Sequence, residues 1–345
     1  MRFLQTSGLN LNELLISLRD FLDTNGWSIT TDGTAAGGLV LTVRNSIGHD
    51  FYLTSTTENR TDAVTGAFVD RLLVMNWDKA AIGLTPGVSA RVAKTNDMAG
   101  PFPNIWFITD EDATYCHIIA QSSALRYSHS SFGRLDPKGM HSVNLPFAIG
   151  VHWHWWRSSL LPADQASNQN DPQESVHEVG YYCEDSFPGT NPSSENTTRI
   201  GIPDGLLDPA LFFDDGALET PTIRPNCSRG YLFSFSNLET QLILDFQRHV
   251  ANQTVTGGTP VTPLPVAVQG TTDSLHAFVG AFPGVGAVSI RGLAPAQVLD
   301  FAGEEWIVFP LKQAGNVVNT RLGGQATLEC NSAFYGLAYK KTDAV

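Results

Sequence analysis

Short apolar runs, cut off by clusters of Gly, Pro, Asn, Asp and Ser, recur along most of this chain and constrain its fold more than any other feature. Runs of that length suit strands, and the residues between them supply turn backbone. "WSITT" opens at Trp27, the turn "DGTAAGG" follows, and then come "LVLTVRN" and "HDFYLTSTTE". That order predicts a strand meander. "RLLVMNW" is a further strand. "NIWFITDEDATYCHIIAQSSA" reads as two strands joined by an acidic turn, a hairpin with "DEDAT" (110–114) at its tip. "RYSHSSFGRLDPKGMHS", "VNLPFAIGVHWHWWRS", "EEWIVFPLKQ" (304–313) and "AFYGLAYKK" (333–341) continue the series. "GLTPGVSARVAKTNDMAGPFPN" and "VANQTVTGGTPVTPLPVAV" read as long Gly/Pro connectors.

Residues 10–24 break the pattern. Leu11, Leu14, Leu15, Leu18, Phe21 and Leu22 repeat at three and four, which makes one apolar stripe on a helix. Gly26 stands where a C-terminal stop belongs. A second helix is expected at 238–250, where Leu238, Leu242, Phe246 and Val250 lie four apart, and a helical turn at 206–216. Residues 160–200 are polar and without period, which reads as a long surface excursion or arm. The expected fold is mainly β (α+β): antiparallel sheets, sandwich-like, with an N-terminal amphipathic helix and long loops or arms. The expected organisation is a helix-plus-meander lobe over 1–160, an arm over 161–200, and a β-rich part over 201–345 whose C-terminal strands return to the first lobe.

Composition narrows the function classes. Charged residues make up 16% of the 345, against roughly 25% in ordinary soluble domains. Such a neutral surface suits burial against other subunits. The net charge of −13 and the lack of any Lys/Arg run argue against gripping nucleic-acid phosphates. No apolar stretch is long enough for a membrane-spanning helix. The start, "MRFLQTSGLNLNELL", lacks a signal peptide's long apolar run and cleavage site. Cys116, Cys183, Cys227 and Cys330 are far apart with no CxxC pair, so they are expected to be free thiols in a protein assembled in the cytoplasm.

"GVHWHWWRSS" (150–159) is the stretch richest in possible chemistry. On a strand, His152 and His154 share one face, and Trp153 and Trp155 share the other. The histidine pair suits a metal ion if further ligands arrive from His117, His129, His141, His177, Asp214 or Asp215. The tryptophans, with Trp156, suit carbohydrate stacking if exposed, or plain packing at a core or subunit contact. Packing is the preferred reading. "SHSSFG" (128–133) lacks the first glycine of a nucleophile elbow. "GAFPGVGAVSIRG" (280–292) has no helix behind it to receive a phosphate, so its glycines are read as serving turns and bulges. No catalytic, cofactor or metal residue is expected.

Several pieces taken in order carry a resemblance: "GLTPG" (83–87), "GPFPN" (100–104), "IWFITD" (105–110), "YCHIIAQSS" (115–123), "YSHSSFGRLDPKG" (127–139), "EEWIVFPL" (304–311) and "AFYGLAYKK" (333–341). The chain resembles a broad group of structural proteins from the virions of tailed bacteriophages, which share a Tyr-x-His…Phe-Gly-x-Leu element and a closing Trp-x-x-Phe-Pro…Tyr-Gly-x-Ala-Tyr-Lys pattern. The pieces cover about a third of the chain. The two serines before Phe132 and the arm at 160–200 depart from the group's pattern. The resemblance implies a non-enzymatic subunit of the virion, in the neck, collar, tail or baseplate, forming a ring that follows the tail's sixfold axis. Its partners would be copies of itself and other virion proteins. Obligate ring contacts bury on the order of 2,000 Å² or more, and the residues expected in them are Trp106, Phe107, Trp153, Trp155, Trp156, Trp306, Tyr335 and Tyr339. The rival functions are a receptor- or glycan-binding tail module and a metal-dependent hydrolase using His152 and His154.

One outcome follows for the arm. If 160–200 crosses to a neighbour, deleting it leaves a folded monomer that no longer forms rings, as read by circular dichroism together with light scattering. A truncated protein that assembles normally counts against an arm that crosses to a neighbour.

Overall fold

A computed structural model of the protein describes residues 2–35, 38–62, 66–76, 93–95, 98, 100–123, 126–137, 146–150, 198–201, 222–223, 261–269, 276–290, 292–301, 303–310 and 335–341. The expected helices at 206–216 and 238–250 lie outside these residues, as does the expected arm up to 197. The arm's last residues, 198–200, belong to a strand.

The chain is mainly β, with antiparallel sheets and one helix near the N-terminus. In chain order the elements are β1 (Arg2–Gly8), α1 (Leu11–Thr24), β2 (Ser28–Ala35), β3 (Gly38–Arg44), β4 (Asp50–Asp62), β5 (Gly66–Asn76) and β6 (Ala93–Thr95). Then come β7 (Phe102–Thr109), β8 (Tyr115–Ser123), β9 (Arg126–Arg134), β10 (Asp136–Pro137), β11 (Pro146–Gly150), β12 (Thr198–Gly201) and β13 (Thr222–Ile223). The last are β14 (Thr262–Gln269), β15 (His276–Ser289), β16 (Gln297–Phe301), β17 (Glu304–Pro310) and β18 (Tyr335–Lys340). A central sheet runs β1-β7-β8-β9-β11-β12-β13. A helix-side sheet runs β2-β3-β4-β5-β6. An outer sheet runs β10-β15-β18-β17-β16, with β14 on the other side of β15.

The helix begins where Asn10 caps it. The Asn10 side chain accepts from the Glu13 amide at 3.0 Å, and Glu13 accepts in turn from the Leu9 amide at 2.7 Å. These reciprocal bonds satisfy amides that the first turn leaves open. All six residues of the apolar stripe are buried. They pack with Leu41, Val43, Phe51 and Leu53 of the helix-side sheet against Ile105, Phe107, Ile118 and Phe132 of the central sheet. Phe21 meets Phe107 with ring centroids 5.6 Å apart. Trp27 wedges between Phe51 and Phe132 and donates its Nε1–H to Thr109 Oγ1 at 3.2 Å.

From Ile105 onward the central strands alternate. Phe107, Ile118 and Phe132 face the helix, whereas Trp106, His117 and His129 face the outer sheet. Both faces are therefore covered, and β8 is buried without interruption from Tyr115 to Gln121. The acidic turn at 110–114 closes the β7–β8 hairpin. Asp110 accepts from the amides of Thr114 and Tyr115 and from the Thr114 hydroxyl.

One connector reading is corrected, and the reading of the 280–292 glycines as turns and bulges holds only in part. Residues 262–269 form β14, although they include Pro263 and Pro265. Among the described residues it pairs on one side only, with β15, and a strand so placed tolerates proline. The glycine-rich stretch after 280 is mostly strand interior, part of β15. It does bulge: register with β14 shifts between Pro263↔Gly286 and Pro265↔Ala281, which throws out residues 282–285. Gly284 takes φ +60° there, and a Cβ on it would collide with the Tyr115 hydroxyl.

Two substitutions test this account. Asn10→Ala lowers stability by about 1 kcal/mol through loss of the cap, and Leu18→Ala by about 2–5 kcal/mol through loss of fully buried volume. Both are read from urea-unfolding midpoints, and equal small effects would contradict the helix packing described here.

Candidate functional site

The densest set of polar and aromatic side chains among the described residues lies between the central and outer sheets. β8 and β9 place His117, Ser131, His129 and Tyr127 on one face, because residues two apart on a strand point the same way. Cross-strand pairing sets His117 opposite Ser131, and sets Ile119 between Trp106 and His129.

His117 is 0% exposed. Its Nε2 lies 2.9 Å from the Pro283 carbonyl oxygen and its Nδ1 lies 2.7 Å from Ser131 Oγ. A carbonyl only accepts, so Nε2 carries the hydrogen and Nδ1 accepts from the serine hydroxyl. His129, also 0% exposed, repeats the arrangement. Its Nε2 donates to the Pro310 carbonyl at 2.9 Å, and its Nδ1 is 2.8 Å from the Tyr339 hydroxyl. Burial pushes the His117 pKa down to about 3, and the nearby His129 acts in the same direction, while the bond to the Pro283 carbonyl partly opposes them. The ring is therefore neutral at ordinary pH.

Aromatic contacts fill the space around these bonds. Trp106 meets Phe309 at 4.7 Å and Tyr127 at 6.3 Å. Tyr339 stacks on His129 at 5.8 Å and meets His117 edge-on at 5.0 Å. Phe147 meets Phe282 of the β15 bulge at 4.9 Å. Gly133 fits the same region: with φ +144°, a Cβ on it would collide with Tyr115 Cα.

The residues expected at intermolecular contacts are distributed otherwise. Trp106, Phe107 and Tyr339 are 3%, 0% and 0% exposed, so this chain's own side chains enclose them. Trp306 is half-buried beside the core formed by Val288, Ile290, Val308 and Ala338, and its Nε1–H reaches Glu304 at 3.2 Å. Tyr335 opens β18 and pairs with Ser289 through the backbone. Trp153, Trp155, Trp156, His152 and His154 lie outside the described residues. His117 and His129 were possible distant ligands for that histidine pair, but both ring nitrogens of each are engaged inside the fold. Among the described residues no cluster of His, Cys, Asp or Glu could hold a metal ion. Cys116 is a free thiol, and burial holds its pKa well above the usual range, so it stays protonated.

The sequence reading missed this junction. It weighed His117 and His129 only as ligands. The signal available was Tyr-x-His in one strand and an Ala-Tyr-Lys ending in another, yet nothing in a single sequence pairs them across 210 positions. No protein-family model matches this chain, and no curated protein matches it in sequence. Among the described residues no helix is long and apolar enough to cross a membrane.

Tyr339→Phe removes the hydroxyl that faces His129 Nδ1. The expected cost is about 1–3 kcal/mol, the range for depriving a buried acceptor of its donor, measured from urea unfolding at pH 7. A change near zero would show that this bond does not hold the two sheets together.

Proposed function

We propose that this chain is a non-enzymatic structural subunit of a tailed-phage particle, assembling as a ring in the head–tail neck or collar, or in the tail. The carrying observation is the fate of the residues behind the resemblance. His129 of "YSH" bonds Pro310 of "VFP" and Tyr339 of "AYK". Trp106 of "IWF" packs on Phe309. The motifs thus act as joints of a scaffold, in which both nitrogens of the His129 ring and the Tyr339 hydroxyl are engaged.

Two further features support the reading. The low charge density leaves much neutral surface for subunit contacts. Among the described residues β1 and β16 stand at sheet edges, with Leu4 and Val298 exposed on them at 37% and 43% and Leu9 just beyond β1 at 71%. An open strand edge with apolar side chains is a surface to which another chain can add.

The purified protein is expected to form closed rings of identical copies, seen as a single multimeric mass by native mass spectrometry and as annuli by negative-stain microscopy. A protein that stays monomeric at high concentration and turns over a substrate would sink the proposal.

A further inference from the structure

The junction between the central and outer sheets has two kinds of contact. The apolar contacts, such as Trp106 on Phe309 and Phe147 on Phe282, do not depend on pH. The contact through His117 does. Its ring needs one N–H for the Pro283 carbonyl and one lone pair for the Ser131 hydroxyl, and only the neutral imidazole offers both. If Nδ1 took up a proton, the serine hydroxyl would turn to accept, so the hydrogen bonds would survive. The buried positive charge would not be compensated.

Among the described residues, the groups packed around His117 supply no carboxylate. From β8 comes the Tyr115 ring at 5.0 Å, from β9 Ser131 and His129, from β15 the Pro283 carbonyl, and from β18 the Tyr339 ring at 5.0 Å. The effect of His129 on His117 is to disfavour a second cation. The opposite face of the central sheet is built differently. There α1 packs through Leu and Phe side chains, and the one histidine on that side among the described residues, His49, sits at the β3–β4 turn against Phe51, away from the helix stripe.

We propose that His117 makes docking of the outer sheet acid-sensitive: protonating this ring loosens β15, β17 and β18 from the central sheet while α1 and the helix-side sheet remain packed. The direction follows from linkage. Undocked, the ring meets water and titrates near its ordinary 6.5; docked, it titrates at about 3. The docked state is at full strength above 6.5. Below that, the docking equilibrium weakens roughly tenfold per pH unit until about pH 3. At pH 5 the loss from this one ring is roughly 30-fold, while ordinary carboxylates still carry their charge.

Hydrogen exchange measured by mass spectrometry on the full chain at pH 7 and pH 5, corrected for intrinsic exchange rates, tests this. Protection over 276–289 and 335–340 is expected to fall at least roughly 30-fold, with 11–24 unchanged. In His117→Gln the amide can keep both hydrogen bonds without titrating, so a factor of roughly 30 should vanish from the fall. Three results would overturn the proposal: pH-independent protection in the outer strands, an undiminished fall in the variant, or equal loss in all elements. If the variant does not fold, the wild-type ring itself decides through its imidazole nitrogen shifts. A neutral Nε2–H tautomer persisting at pH 5 is expected, and a folded-state titration near 6.5 would overturn the idea.

Discussion

Everything in this fold depends on the central β7–β8–β9 strands being dry on both faces. A sheet with one wet face can leave its polar side chains to water. Here water is absent from either side, so every hydroxyl and imidazole on these strands needs a partner within the protein. On the helix face the difficulty is mostly avoided by apolar residues such as Phe107, Ile118 and Phe132. On the other face two histidines remain, and the outer sheet is shaped to receive them. The proline carbonyls at 283 and 310 are the acceptors.

The β15 bulge shows how that shaping is done. Residues 282–285 leave the β14 ladder, and both local contacts with the central sheet come from this excursion: Phe282 against Phe147 and the Pro283 carbonyl against His117. Gly284 lets the chain turn back beneath Tyr115. A bulge of this kind re-aims backbone groups away from their own sheet. Sequence, local geometry and layer docking are therefore linked at four consecutive residues.

Much of the strand content was readable from sequence, and the reasons are local. The stripe from Leu11 to Leu22 marked the helix, and "DEDAT" marked the hairpin tip, because capping and turn chemistry act within a few residues. The pairing of His129 with Tyr339 was not readable, since no local rule joins residues 210 positions apart. β14 was missed for the opposite reason: Pro263 and Pro265 are strong local signals against a strand, and only its edge position cancels them. The roles expected for Trp106, Phe107 and Tyr339 as outward contacts failed because large aromatics look alike in sequence whether they fill an interior or cover a surface.

Those same two prolines give the outer sheet an unequal pair of flanks. A proline nitrogen has no hydrogen to offer, so β14 carries two fewer backbone donors than its length would supply. β16, on the far side, is "QVLDF" and lacks no amide. Among the described residues the sheet is thus bounded by one strand poor in backbone donors and by another that keeps its full set.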